Sequence, residues 1–280
     1  MASPPTPQTV VQFYATHPIN EEQVLAALKK RGIPLDQVTE EDLKDFDQDH
    51  YGGIEAVDVL ARKAGIRADH HVLDVCSGLG GPARYLAHRY GCRVTGIDLT
   101  ASRHAAAQKL THLAKLDDRV RFRMGDAQVM PFPDATFDVV IGQEAWVPVP
   151  DKGRLIAECT RVLKPGGVIA FTDILRRAVL VPEVYQRLNS GMTFSLPETL
   201  DGYSALLEIN GCAVTEREDL SAPWTIVLQQ RLEMYRSLKS ETERIHGTAH
   251  YRRYDDAYTF FVGLYTRGVL GGGRFVGRKA

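Results

Sequence analysis

VLDVCSGLGG, residues 72–81, is the stretch of sequence that decides the fold. Its apolar start predicts a short buried strand, and its glycines predict a tight turn that leads into a helix. Because glycine has no Cβ, such a turn lets a ligand come close to the backbone. The free N–H groups and the positive dipole end of the following helix suit a carboxylate.

Strands and helices alternate on the C-terminal side of this turn. We predict strands over residues 71–75, 93–98, 120–125, 137–142 and 167–174, and helices over residues 82–90, 103–116 and 154–163. This order predicts an α/β fold with a parallel sheet and helices on both faces. Further along, we predict a helix over 200–210, a strand over 213–220, a mostly helical stretch, and a last strand over 274–278.

Composition excludes several classes of function. The chain has 280 residues, 44% of them hydrophobic, and a net charge of −1, so it has no broad basic field for nucleic acid. Its apolar stretches are too short for a membrane span, which needs ~20 residues, and nothing in it resembles a signal peptide. The four cysteines form no C-x-x-C pair, which indicates buried thiols in a reducing compartment. We therefore expect a cytoplasmic protein that binds no metal, membrane or nucleic acid.

Asp74 decides between two kinds of cofactor site. Gly78, Gly80 and Ala83 satisfy the G-x-G-x-x-A pattern of dinucleotide-binding proteins, so a NAD-linked dehydrogenase is an alternative. However, a carboxylate at the end of the first strand would repel two phosphates. It suits a cationic cofactor, and S-adenosylmethionine carries both a sulfonium and an ammonium group. A purely structural role for Asp74, as a hydrogen-bond acceptor for the loop, is the other alternative.

Further polar residues follow the next strands. Asp98 ends the second strand, roughly 20 residues after the glycine-rich turn, where an acid commonly binds ribose hydroxyls. Asp126, in Gly-Asp-Ala after the third strand, is placed to accept a hydrogen bond from an adenine amino group. Gln143 and Glu144 follow the fourth strand. Because ligands of open α/β sheets bind beyond the carboxyl ends of the strands, all four side chains are candidates.

The order of these motifs resembles that of the class I S-adenosylmethionine-dependent methyltransferases. VLDVCSGLGG, IDLT ending the second strand, GDA, FDVV and RVLKPGG match in sequence over roughly residues 70–175. The resemblance implies a Rossmann-like, doubly wound seven-stranded sheet whose last strand is antiparallel. It implies S-adenosylmethionine as methyl donor and S-adenosylhomocysteine as product. The implied cofactor-binding residues are Asp74, Ser77, Gly78, Gly80, Asp98, Leu99, Asp126, Ala127 and Gln143. Cys76 is a departure, because the family often has a glycine there.

Within that family, the chain is most similar to the sarcosine/dimethylglycine type of N-methyltransferase. The segment Gln-Glu-Ala-Trp at 143–146, the segment Pro-Asp-Lys at 150–152 and the glycine-rich C-terminus carry this likeness. It implies a small-molecule acceptor, an amine in the first place. Pro148 departs from the pattern, because many relatives have a histidine at that position.

The resemblance and the strand order together divide the chain. Residues 1–65 are interpreted as an N-terminal helical extension that covers the cofactor, with helices over 20–31, from about 39, and over 54–64. Residues 1–8, polar and proline-rich, are predicted to be disordered. Residues 66–280 are interpreted as the methyltransferase domain, with helical cap insertions near 175–200 and 222–270. The last strand returns to the sheet after these insertions, so they are not predicted to form a separate domain.

Four residues are candidates for the acceptor side of the site. His50 and Tyr51 precede a helix and could fold over the cofactor, although a plain loop is an equal alternative. Glu144 and Trp146 could place a carboxylate beside an aromatic face, which suits a cationic amine. Core packing is the alternative for Trp146. We treat His50, Tyr51, Glu144 and Trp146 as the predicted catalytic residues.

The acceptor itself stays open at this point. An O-, S- or C-methyltransferase acting on another small metabolite is an alternative to the amine enzyme. A methyltransferase acting on RNA or protein is a further alternative, which the near-neutral charge disfavours. A homodimer is an alternative to the monomer.

Overall fold

The computed structural model describes residues 4–15, 17, 19–48 and 50–280, with the backbone alone at 245 and 246. Its described residues form one seven-stranded sheet in the order β3-β2-β1-β4-β5-β7-β6. The strands are β1 (His71–Val75), β2 (Arg93–Asp98), β3 (Val120–Met124), β4 (Phe137–Gln143), β5 (Leu163–Arg176), β6 (Cys212–Asp219) and β7 (Leu270–Lys279). Strands β1 to β5 pair in parallel, and β7 is antiparallel to both β5 and β6. The predicted fold class is confirmed.

Helices surround the sheet and extend beyond it. They are α1 (Pro7–Ala15), α2 (Glu21–Lys30), α3 (Glu40–Leu43), α4 (Gly53–Ala64), α5 (Gly81–Tyr90), α6 (Ala101–Leu113), α7 (Lys152–Val162), α8 (Pro182–Met192), α9 (Leu200–Ile209), α10 (Ser221–Ser237), α11 (Lys239–His246) and α12 (Thr248–Thr266), with a 3-10 turn at Leu35–Gln37. Two apolar clusters, one on each face of the sheet, form the main core. None of the helices in the described part of the chain is both long and apolar enough to cross a membrane.

Strand β1 lies at the point where the order of the strands reverses. It pairs with β2 on one side and with β4 on the other, so the chain runs outward to β3 and then returns. The crevice of an open α/β sheet forms at such a point, beyond the carboxyl ends of the strands. The loop after β1 and the residues after β4 therefore lie side by side.

The C-terminal strand is longer than predicted, because three glycines belong to it. We predicted that the last strand begins after these glycines, at residue 274, but β7 begins at Leu270. A Cβ at Gly272 would stand 2.0 Å from the Trp224 ring, and one at Gly271 would stand 2.1 Å from the Ser221 hydroxyl. These glycines let the start of α10 pack directly against the strand, and they do not break it.

The N-terminus is more ordered than predicted. Residues 7 and 8 begin helix α1, because proline is well suited to the first turn of a helix. Near the end of α1, the ring of Tyr14 lies 5.4 Å from the Arg103 guanidinium carbon. The prediction of disorder is wrong for these two residues, while residues 1–3 lie outside the described part of the chain.

A buried ion pair ties the N-terminal extension to helix α5. Arg84 has no exposed surface, and its Nη2 donates to the Asp47 carboxylate at 2.5 Å. Its Nε lies 3.4 Å from the Glu40 carboxylate. Burial, the largest cause, raises the pKa of both carboxyls, and the Arg84 charge opposes this rise. The apolar side chains of α2 and α3 also pack against Leu79 and α6, so the extension shares its core with the sheet domain.

The Arg84–Asp47 pair gives a test of how firmly the extension is anchored. Asp47→Ala leaves a buried guanidinium without its closest partner, so we expect the free energy of unfolding to fall by ~3–5 kcal/mol. Asp45→Ala is the matched control, because Asp45 meets Arg31 at the surface; we expect a loss within ~1 kcal/mol there. Urea denaturation of the two variants measures the difference, and equal losses would contradict a buried anchor.

Candidate cofactor and acceptor site

The glycine-rich turn after β1 opens towards the carboxyl edge of the sheet. Cys76 begins it with φ of 63°, in the left-handed region that favours glycine, the residue that the family resemblance implies at this position. Gly78 follows with φ of 52°, and a Cβ on it would meet only Arg103, at 4.0 Å. The backbone at Gly78 is thus open to a ligand, as the sequence predicted.

Asp98 joins this turn to the second strand. Its Oδ2 accepts a hydrogen bond from the Gly78 N–H at 2.9 Å, and its Oδ1 accepts one from the Thr100 N–H at 2.8 Å. Burial raises the pKa of Asp98, while these two backbone donors and nearby Arg103 oppose the rise. Because a carboxylate has about four lone-pair sites, both oxygens can accept further hydrogen bonds. Asp98 is therefore held in place and can still bind two hydroxyl groups.

Three polar atoms around this turn have no hydrogen-bond partner in the described structure. They are Asp74 Oδ2, Ser77 Oγ and Gln143 Oε1, and all three are buried. Burial raises the pKa of Asp74 to about 7, and the charge of Asp98 adds to the rise. Buried polar groups are nearly always paired, so three orphaned atoms at the carboxyl ends of β1 and β4 indicate a ligand with several polar groups.

Gly80 has a packing role in this structure, and its contact with the cofactor stays a prediction. Its N–H donates to the Ser77 carbonyl at 2.8 Å. A Cβ on Gly80 would stand 2.5 Å from the Phe122 ring and 3.0 Å from Arg84. The glycine therefore lets α5 approach β3 closely, and its backbone donor is already used.

Contact between the cofactor and the residues after the second and third strands remains a prediction. The Asp126 carboxylate accepts the Gln128 N–H at 2.8 Å and so closes the turn after β3. Ala127 is buried in the core cluster that also contains Ile97. Leu99 is half-buried directly after Asp98.

The N-terminal extension reaches the end of β4 through His50. His50 is buried, its Nε2 lies 2.8 Å from Gln48 Oε1, and its Nδ1 lies 3.5 Å from Gln143 Nε2. Arg231 in α10 donates to the His50 carbonyl at 2.7 Å. The extension, the sheet and the C-terminal helices thus meet beside Gln143.

Glu144 and Tyr51 lie together, although 93 residues separate them in the sequence. The Tyr51 N–H donates to Glu144 Oε2, and the Thr172 hydroxyl donates to Glu144 Oε1 at 2.5 Å. Glu144 has φ of 48°, a conformation that is unusual for a residue with a Cβ and that often marks a functional site. Burial raises its pKa to about 7, against the two hydrogen bonds. Its carboxyl group can therefore exchange a proton near neutral pH.

Trp146 lies in the core, which corrects the prediction that it lines the acceptor side. Its side chain has no exposed surface. The indole N–H donates to the Val75 carbonyl at 3.2 Å, and the ring lies 4.3 Å from the Phe171 ring. A Cβ at Gly142 would stand 2.5 Å from the indole, so the strand has no room for a ligand there. The core-packing alternative is the correct one.

One buried polar group within β5, Asp173, is not among the residues predicted from the sequence. Asp173 is fully buried, and the Tyr203 hydroxyl donates to it at 2.6 Å. Burial raises the pKa of Asp173 to about 6 and lowers the pKa of Lys152 to about 8. The Lys152 ammonium donates to the Val147 carbonyl at 3.2 Å. The signal in the sequence was a polar pair, Thr172 and Asp173, that interrupts a long apolar stretch and so indicates buried polar side chains.

The edge of the sheet thus carries four carboxyl groups whose pKa burial raises, although a nearby cation opposes each rise. They are Asp74, Asp98, Glu144 and Asp173. Such a site favours a ligand with positive charge and hydroxyl groups, and it disfavours a pyrophosphate. The described residues contain no cluster of three or more His, Cys, Asp or Glu side chains arranged to hold a metal ion.

Comparison with known proteins agrees with this geometry. Residues 73–171 match the family model described as a methyltransferase domain. The chain is 37% identical to the glycine/sarcosine/dimethylglycine N-methyltransferase of Actinopolyspora halophila, over 41% of this chain and 20% of that one. It is 35% identical to the 27-O-demethylrifamycin SV methyltransferase of Amycolatopsis mediterranei, over 59% of this chain and 61% of that one. These matches confirm the resemblance that the motifs indicated.

A solved structure extends the likeness in fold to the whole chain. The cyclopropane synthase MmaA2 of Mycobacterium tuberculosis superposes with a TM-score of 0.78 at 18% sequence identity, and each chain is covered completely. At that sequence identity the match shows a similar fold and nothing about function. The chain spans between 20% and 61% of the length of the two curated relatives named above.

Proposed function

We propose that this chain, which carries a methyltransferase domain over residues 73–171, transfers a methyl group from S-adenosylmethionine to a small-molecule acceptor. The observation that carries the proposal is the group of orphaned buried atoms of Asp74, Ser77 and Gln143 beside Asp98. They lie where the order of the strands reverses, the usual place for a ligand in this fold.

The residues present fit S-adenosylmethionine better than a dinucleotide. Asp98 would bind the two ribose hydroxyls, and Asp74, Ser77 and Gln143 would bind polar groups of the amino-acid part. The cofactor supplies a methyl group that its sulfonium already activates. The protein's task is then to hold the acceptor in line and to exclude water. The buried carboxylate of Asp74, beside the glycine-rich turn, would oppose the phosphates of NAD.

Glu144 is the residue we assign to the acceptor. An amine must lose its ammonium proton before it can attack, and a hydroxyl group must lose its proton when it is methylated. A carboxyl group with a pKa of about 7 can take either proton at neutral pH. Tyr51 and Thr172 hold both carboxylate oxygens from neighbouring elements. His50 and Tyr51 would act by closing the extension over this point.

We propose an amine as the acceptor, with a hydroxyl group as the second candidate. The N-methyltransferase relative and Glu144 support the amine. Two observations support the hydroxyl group. Burial of Trp146 removes the aromatic face on which the amine hypothesis partly rested. The 27-O-demethylrifamycin SV methyltransferase is matched over a larger share of its length than the N-methyltransferase is. The near-neutral charge still disfavours RNA as acceptor. Residence in the cytoplasm and a homodimer remain predictions.

The proposed function is tested in two steps. Calorimetry should show that the protein binds S-adenosylmethionine and S-adenosylhomocysteine and does not bind NAD. The protein with methyl-labelled cofactor is then incubated with a panel of amines, phenols, alcohols and carboxylic acids, and transfer of label identifies the acceptor. Tight binding of NAD without binding of S-adenosylmethionine would overturn the proposal.

Asp98→Ala should weaken S-adenosylmethionine binding by ~2–4 kcal/mol, the scale of losing charge-assisted hydrogen bonds. Isothermal titration measures the change, and circular dichroism checks that the variant is folded, since Asp98 also holds Gly78 and Thr100. Asp118→Ala is the control, because Asp118 is exposed and pairs with Arg119 at the surface. Unchanged affinity in folded Asp98→Ala would contradict the ribose assignment.

The pH dependence of turnover should report on Glu144. Because its pKa is raised to about 7, the carboxyl group is protonated below that pH and cannot accept a proton, so kcat should rise through pH 7. Glu144→Gln should remove this rise and lower kcat by ~10²–10⁴-fold, the usual contribution of a general base. Exposed Glu208 is the matched control, and Glu208→Gln should keep the wild-type profile.

The same profile distinguishes the two candidate acceptors. An amine adds a second rise at its own higher pKa, because only the neutral amine has a free lone pair, whereas an aliphatic alcohol adds none. A rise at pH 7 that persists in Glu144→Gln would show that another group accepts the proton.

A further inference from the structure

Tyr265 carries a buried hydroxyl group that the fold itself leaves unused. It lies in the last turn of α12, with 3% of its surface exposed, and its hydroxyl has no hydrogen-bond partner among the described residues. The ring is held edge-on by Phe261, with 5.2 Å between centroids. The Gly268 N–H donates to the Tyr265 carbonyl at 2.9 Å and fixes the end of the helix. The side chain is therefore held in place without any contact to its hydroxyl.

Tyr265 lies in an apolar cluster that adjoins the acceptor side of the site. Tyr265 belongs to the apolar cluster of α8, α10 and α12 that also contains Val147 and Trp224, and Tyr51 packs against that cluster. The Tyr51 ring lies 5.0 Å from the Trp224 ring, and the Tyr51 N–H binds Glu144. Burial, and then the nearby Tyr51, Glu144, Asp173 and Tyr258, raise the pKa of Tyr265 well above its ordinary value. The hydroxyl thus keeps its proton and can donate it in a hydrogen bond.

Tyr203 is a second buried tyrosine, and its hydroxyl, unlike that of Tyr265, has a hydrogen-bond partner within the fold. Tyr203 is equally buried, and its hydroxyl donates to Asp173 at 2.6 Å. An unpaired buried hydroxyl destabilises a fold relative to one that stays in water, so it persists where another molecule supplies the partner. No structural reason for a tyrosine in place of phenylalanine at position 265 is visible in the described contacts.

We propose that the Tyr265 hydroxyl donates a hydrogen bond to an oxygen atom of the acceptor molecule, on the side of the site where Glu144 lies. The proposal rests on the proposed function and narrows its substrate class. A neutral amine nitrogen has one lone pair, which must stay free to attack the methyl group, so it cannot also accept from Tyr265. An oxygen has two lone pairs and can do so. The acceptor is therefore a hydroxyl compound, or an amine that carries an oxygen substituent close to its nitrogen.

Tyr265→Phe tests this assignment, with the best acceptor from the labelled-methyl panel as the probe. We expect KM for that acceptor to rise ~10–100-fold, the scale of one good hydrogen bond, and the affinity for S-adenosylmethionine to stay within twofold. Stability should stay equal or rise, because an unpaired buried polar group is removed. Tyr203→Phe is the matched control for stability. It removes a paired hydroxyl, so its unfolding midpoint in urea should fall.

The outcomes separate this proposal from the proposed function. If the wild-type protein binds no S-adenosylmethionine and methylates nothing in the panel, the proposed function fails, and the assignment of Tyr265 fails with it. If the wild-type protein is active and Tyr265→Phe has an unchanged KM, the assignment alone is overturned. A fall in stability of Tyr265→Phe equal to that of Tyr203→Phe would also overturn it, because the hydroxyl would then have a partner within the fold. An acceptor without any oxygen atom would contradict the narrowed substrate class.

Discussion

The buried guanidinium of Arg84 is the contact on which the arrangement of the site depends. Besides the carboxylate of Asp47, it donates to the Leu79 carbonyl in the glycine-rich turn at 2.8 Å and to the Thr111 hydroxyl in α6 at 3.2 Å. One side chain thus joins the turn after β1, the helix after β2 and the N-terminal extension. Since a buried charge without partners is costly, these three segments cannot separate without a large loss of stability.

From this anchor the chain reaches the acceptor side within a few residues. Asp47 is bound to Arg84, and His50 and Tyr51, just beyond it, meet Gln143 and Glu144. The C-terminal helices approach from the opposite side through Arg231, which donates to the His50 carbonyl. The acceptor side is therefore built from three distant parts of the sequence, and each part is fixed by at least one hydrogen bond.

Burial gives the site its electrostatic character. Four carboxyl groups end or follow the central strands, and desolvation raises the pKa of each one. Backbone N–H groups, rather than cations, hold Asp98, and both a backbone N–H and a hydroxyl hold Glu144. A site of this kind gains most from a ligand that itself brings positive charge, because that charge offsets the desolvation of the carboxylates.

The sequence by itself determined the parallel sheet, the open turn at Gly78 and the position of Asp98, because strand periodicity and glycine spacing are local properties of the chain. The sequence could not show the packing roles of Trp146 and Gly80, because the same residue types serve equally in a core or at a ligand. Only the contacts of Trp146 with Phe171 and of Gly80 with Phe122 reveal these roles. Nor could the sequence find Tyr265, far along the chain in a helix with no motif. The tertiary structure alone places Tyr265 in the cluster against which Tyr51, the partner of Glu144, packs, and leaves its hydroxyl without a partner among the described residues. Contacts between such distant segments depend on how the helices pack and not on any local pattern.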